Sequence, residues 1–134
     1  MQALTTTVRD LSPLDAVLIR TWLTKPGSEF QAEVTDATSD TPIAIVRSQE
    51  EWVAAWTATH NWRGMQTLEG FTHPSYRRRG FARVAAAMLI AEGHIDPSKT
   101  LAVFSPLCVT MAAALSCRDV RLYERRGTEW VQNS

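Results

Sequence analysis

Arg77, Arg78, Arg79 and Arg83 crowd around Gly80 and Ala82. Guanidinium forks match phosphate oxygens, and arginine keeps its charge at any physiological pH. Gly80 offers no Cβ where a ligand would approach the backbone, and Ala82 keeps the following turn small. Glu69 is the carboxylate on the run that leads into this segment, and a carboxylate so placed can accept a proton. His73 is a second candidate base on its pKa alone. Cys108 and Cys117 stand nine residues apart, in no recognisable nucleophile setting, and read as free thiols of a reducing compartment. His60, His73 and His94 show no metal-ligand spacing with one another or with the cysteines, so no metal is expected.

What these groups can do depends on the elements that hold them. Met65 to Thr72 reads as a strand, and Gly80 to Glu92 as a helix with Val84, Ala85, Met88 and Leu89 on one face, ended by Gly93. The arginine-rich segment therefore joins a strand to a helix N-terminus, where unpaired N–H groups and the helix dipole favour an anion, phosphate above all. Upstream, 3–10 reads as a strand, 13–24 as an amphipathic helix opened by Ser12-Pro13, and 28–37 as a second short helix. Pro42 to Arg47 and Trp52 to His60 read as strands, with a turn at Asn61 to Gly64. Downstream, Thr100 to Phe104 is a strand, Thr110 to Arg126 has a helical pattern broken near Ser116–Cys117, and Thr128 to Gln132 is a short final strand. Alternation of strand and helix in the second half predicts a mixed α/β sheet with parallel strands near Phe104 and Thr72.

At 134 residues, 45% hydrophobic and 21% charged, the chain is expected to form one domain spanning 1–134. No apolar run approaches the roughly 18 residues of a membrane helix. The start MQALTTTVRDLS has no apolar core of signal-peptide length, so a cytoplasmic location is expected. Net charge is zero, yet residues 1–67 carry five basic and eight acidic side chains, whereas 68–134 carry nine and six. A neutral total speaks against nucleic acid as partner, while local arginine clusters suit a small polyphosphate.

The run Arg77-Arg78-Arg79-Gly80-Phe81-Ala82 resembles the signature of the GNAT superfamily of N-acetyltransferases: Arg or Gln, two residues, Gly, one residue, Gly or Ala. The preceding Thr72-His73-Pro74-Ser75-Tyr76 resembles the residues that often come before it, with Thr in place of the usual Val. Leu122-Tyr123-Glu124-Arg125-Arg126-Gly127 resembles a later motif at the end of the family's last helix. The chain departs from the pattern at Thr128, where the family has Phe, and in lacking an Asn near the start of the last helix. Only one strand is expected after Gly127, not the family's usual last two.

The resemblance implies a GNAT-like α/β fold: a mixed, mostly antiparallel central sheet flanked by helices, with a splayed parallel strand pair at the cofactor site. It implies acetyl-CoA as acyl donor, bound by Thr72, Arg77, Arg78, Arg79, Gly80, Phe81 and Ala82. An N–H of the fourth strand near Thr72 would polarise the thioester carbonyl. Tyr123 would protonate the departing thiolate, and Glu69 would be the base. The implied activity is direct transfer of an acetyl group to a primary amine. An alternative is an inactive GNAT-fold module that binds a macromolecular partner, favoured by Gln66 standing near the place where some members carry Glu. Glu29, Glu33, Asp36 and Asp40 occupy the region that covers the amine side in the family, so a cationic acceptor is expected. Trp62 is a candidate for lining the acceptor pocket. The single expected terminal strand leaves an edge that a homodimer would complete near 128–132.

Overall fold

The computed structural model describes residues 2–17, 40–48 and 51–133, with the side chains of 51 and 52 excepted. Among the described residues seven strands form one sheet in sequential order: β1 (Gln2–Thr7), β2 (Pro42–Ser48), β3 (Glu51–Trp62), β4 (Met65–Thr72), β5 (Leu101–Val103), β6 (Val120–Arg126) and β7 (Glu129–Gln132). A 3-10 turn, Pro74–Tyr76, follows β4. Helix α1 (Phe81–Ala91) joins β4 to β5, and α2 (Pro106–Ala114) joins β5 to β6. Residues 13–17 are helical, as Ser12-Pro13 predicts. The rest of the expected 13–24 helix and the whole of 28–37 lie outside the described residues. Among the described residues no helix is long and apolar enough to cross a membrane.

Strands β1 to β4 pair antiparallel, β4–β5 and β5–β6 pair parallel, and β6–β7 close as an antiparallel hairpin. This is the mixed, mostly antiparallel α/β sheet expected from the sequence. The apolar run Ile43-Ala44-Ile45-Val46 is almost fully buried along its whole length, because β2 lies between β1 and β3 and both its faces are covered. Ala44 and Val46 join Ala54, Trp56, Ala58 and Leu68 in the larger core, beneath Ala85, Ala86 and Leu89 of α1 and Met111 and Ala112 of α2. Alanine on both sides of that contact lets helix and sheet approach closely, and each fully buried Leu or Ile side chain contributes about 2–3 kcal/mol. On the opposite face Ile43, Ile45 and Ala55 pack with Leu4, Leu11 and Phe71. Asp15, buried beside them in the fold, is held by the guanidinium of Arg47 and the hydroxyl of Ser12.

One element differs in kind from its sequence reading. Thr110 to Arg126 is not a helix: α2 stops at Ala114, and Val120–Arg126 is strand β6. Ser116 takes a left-handed backbone (φ 65°) that ends the helix. Residues 120–122 then pair with 101–103 of β5, and Thr100 Oγ1 donates to Asp119 Oδ2 at 2.7 Å where the two strands begin. The run Val120–Arg126 alternates only as far as Leu122 and fixes neither period on its own; the parallel ladder selects the strand. Two strands, β6 and β7, therefore follow the last helix. One of them, β7, follows Gly127 as expected. Gly127 (φ 64°) turns the β6–β7 hairpin instead of ending a helix.

Candidate functional site

Strand β4 and its exit loop organise the site. The β4–β5 ladder holds only at Gln66↔Leu101 and Thr67↔Ala102, while β4 runs on to Thr72. Beyond Thr67 the strands part, so the parallel pair is splayed toward the arginine-rich loop. Residues alternate sides along a strand. His73 N–H donates to Val53 O on β3 at 2.7 Å, which turns the N–H and C=O of Leu68, Gly70 and Thr72 toward the gap. Gly70 is required here for another reason: a Cβ would lie 2.3 Å from Ala55 O and 2.6 Å from the Trp56 ring.

The loop is held at several points. His73 Nδ1 accepts from Ser75 N–H at 3.1 Å, and Arg77 Nε donates to Thr72 O at 3.1 Å. The Arg77 guanidinium lies 5.1 Å from the Phe71 ring, and that of Arg79 lies 5.6 Å from the Tyr76 ring. Arg78 (φ 64°) and Gly80 (φ 83°) both take left-handed backbone, and an arginine there costs about 1–2 kcal/mol. Gly80 caps α1 with no side-chain hydrogen bond, and a Cβ on it would meet nothing within 4 Å. Among the described residues Arg77, Arg78, Arg79 and Arg83 form no ion pair, and all four are exposed. An uncapped helix N-terminus, four arginines without acidic partners and open space at Gly80 fit a polyphosphate. The structure thus brings Thr72, Arg77, Arg78, Arg79, Gly80, Phe81 and Ala82 together at one end of the β4–β5 gap.

Glu69 lies on the sheet face opposite α1 and α2, in line with Thr67 and Phe71 and facing Thr57 across the ladder. Its Oε2 is shielded from solvent, and Thr57 Oγ1 donates to its carbonyl at 3.2 Å. Its charge reaches Cys108 at the start of α2. Burial pushes the Cys108 thiol above its usual value and the Glu69 charge adds to that, against a hydrogen bond from Ser105 that pulls it down. Burial also raises Cys117. Both thiols stay protonated at neutral pH, which removes them as nucleophiles. Gln66 points to the other face, where its side chain holds the backbone of the loop before β5. It is structural and stands in for no base.

Tyr123 sits apart from the loop. It lies on β6, not at a helix end, is 6% exposed, and its Oη meets Met65 Sδ at 3.7 Å. Its ring belongs to an aromatic group that the sequence signalled only through Trp62. Trp62 packs edge-on against Tyr123 and Phe104, with centroids 4.8 and 5.1 Å apart, and Phe104 packs against Trp130 at 5.0 Å. Arg63, at the tip of the β3–β4 hairpin, stacks 4.5 Å from Trp62 and donates to Trp130 O at 3.0 Å. Of the expected acidic wall, 28–39 lies outside the described residues. Asp40 pairs with Arg9 at 2.7 Å, so its charge is partly spent.

No family model and no curated protein matches the sequence. Among solved structures, the crystal structure of ribosomal-protein-alanine N-acetyltransferase from Brucella melitensis biovar Abortus 2308 aligns with a TM-score of 0.45 at 14% identity, over 86% of this chain and 88% of that one.

Proposed function

We propose that the chain is an acetyl-CoA-dependent N-acyltransferase acting on a primary amine. The reading rests on one observation above the others: the β4–β5 ladder ends after Thr67↔Ala102, and the gap it opens leads to an uncapped helix N-terminus ringed by arginines. Such a gap exposes backbone N–H and C=O groups of β4 to an amide-bearing chain, as an unpaired strand edge does. The loop receives a pyrophosphate at its far end. The donor would supply a thioester acetyl group. Arg78, Arg79 and Arg83 bind its phosphates, and Arg77 holds the end of β4 through Thr72 O. The β4 N–H groups facing the gap orient and polarise a carbonyl laid against them. Glu69, on the face where an amine would enter, takes the proton of the ammonium. With both thiols protonated, direct attack by the amine is favoured over a covalent enzyme intermediate.

Isothermal titration and thermal shift with acetyl-CoA test the donor site. At a hundredfold excess over Kd the stabilisation is about 2.7 kcal/mol. No shift at millimolar acetyl-CoA would sink the assignment. For the base, Glu69→Gln should lower kcat by about 10²-fold or more and remove the lower limb of the pH profile, leaving acetyl-CoA affinity unchanged.

A second reading is a GNAT-fold module that binds a partner without catalysing transfer. The position of Tyr123 favours it, since the hydroxyl proposed as proton donor meets Met65 and is buried. Acetyl-CoA binding without turnover on any amine would support this reading.

A further inference from the structure

We propose that Trp56 is a positioning residue for the donor site: through the Thr72 hydroxyl it fixes the far end of β4, against which the donor's amide arm lies. The inference rests on the acyltransferase reading and names a residue that this reading does not use. Among the described residues no ladder joins β4 to β5 beyond Thr67↔Ala102, so the last residues of β4 are paired with β3 alone. A strand end with one ladder is held less firmly than one with two.

Trp56 supplies a second hold. It stands opposite Gly70 across the β3–β4 ladder, and a Cβ on Gly70 would lie 2.6 Å from a carbon of its ring. The glycine leaves the indole room to lie over β4. Trp56 is 6% exposed, and its Nε1 donates to Thr72 Oγ1 at 3.3 Å. A buried indole N–H needs an acceptor, and here the acceptor is the side chain of the last β4 residue. His73 N–H donates to Val53 O, so the N–H and C=O of Thr72 face the gap. Arg77 Nε takes the carbonyl at 3.1 Å. Thr72 is therefore held by its hydroxyl from β3 and by its carbonyl from the loop, with its N–H directed into the gap. A strand end fixed before the donor arrives lowers the ordering cost of binding.

Two ligands separate the arm from the phosphates: acetyl-CoA, and 3′-phospho-ADP, which keeps the phosphates and lacks the arm. Both are titrated calorimetrically into the parent, Thr72→Val, Thr72→Ser, Trp56→Phe and the double variant Trp56→Phe/Thr72→Val. Thr72→Val keeps the shape and removes the acceptor. It should weaken acetyl-CoA about tenfold, the worth of one hydrogen bond, and leave the nucleotide within about twofold. Trp56→Phe should match it, and the double variant should be no weaker than either single one. Thr72→Ser keeps the hydroxyl and should bind as the parent does. Retained nucleotide binding shows in each case that the loop is folded. Parental affinity for acetyl-CoA in Thr72→Val or Trp56→Phe overturns the proposal. An equal loss for both ligands, or a double variant whose loss is the sum of the two, overturns it as well. A parent that binds neither ligand overturns the acyltransferase reading and this inference with it. A parent that binds both, with no difference among the variants, discards the role of Trp56 alone.

Discussion

Gln66 grips the backbone of Asp96 from both sides: its Oε1 accepts from Asp96 N–H at 2.9 Å, and its Nε2 donates to Asp96 O at 2.5 Å. A further contact from Nε2 reaches Lys99 O at 3.3 Å. The amide is buried, and the loop it holds delivers the chain into β5 one ladder step from the point where β4 and β5 part. Glu at this position would keep the acceptor and lose the donor, setting a carboxylate against two carbonyls. Gln66→Glu should therefore cost about 3 kcal/mol, a fall in Tm of about 10 °C for a domain of this size. Protonating the new carboxyl restores a donor, so thermal melts should show part of the loss recovered as pH falls from 8 to 5. An unchanged Tm at neutral pH would show that the loop does not depend on this amide.

Gly80 separates folding from ligand binding. Its backbone is left-handed, but the space around a Cβ is open, and Asp tolerates that region better than most residues. Gly80→Asp should cost about 1 kcal/mol in the free protein. The added carboxylate stands at the head of α1 among the arginines and repels a phosphate. The variant should melt within a few degrees of the parent and show no thermal shift with acetyl-CoA. A retained shift would place the phosphates elsewhere.

Asp119 links pH to the joint between β5 and β6. The hydrogen bond from Thr100 holds its carboxyl below the usual value near 3.8 against desolvation, with smaller help from the charge and hydrogen bond of Arg121. A depressed pKa means the folded state binds the proton less readily than the unfolded chain. The stabilisation is complete above about pH 4 and is lost as pH falls through the lowered folded value. Thr100→Val should melt lower than the parent at pH 6, and the two Tm curves should converge below that range. Parallel curves down to pH 2 would assign the difference to packing at Thr100 instead.

Tyr123 makes the opposite kind of claim about catalysis. Its hydroxyl meets only a thioether among its described contacts, a weak acceptor. Tyr123→Phe should leave kcat within about threefold and stability within about 1 kcal/mol, because the ring keeps its contact with Trp62. A fall in kcat of about 10²-fold, of the size that losing a general acid produces, would return the proton-donor role to this residue.

Much of the sheet and the arginine-rich loop could be read from sequence because their signals are local. Met65 to Thr72 is bounded by a Gly turn and Pro74, and its period of two puts Glu69 opposite Gln66 and Leu68, as the ladder with β3 has it. Helix α1 lies between Gly80 and Gly93, both with positive φ, and its small residues meet the sheet at the spacing that the sequence carries. The loop needed only a strand before it and a helix after it. Where local signals were evenly balanced, pairing partners far along the chain decided. Val120–Arg126 became a strand because β5 offered it a parallel ladder and Ser116 turned the chain out of α2. The motif around Tyr123 thereby changed its surroundings from a helix end to an aromatic floor. Gln66 acquired its role from Asp96, thirty residues on, and Arg63 met Trp130 across 67 residues. Composition carries no record of such meetings. They follow from the closure of the sheet, which fixes which side chains share a face and which backbone groups are left for them to hold.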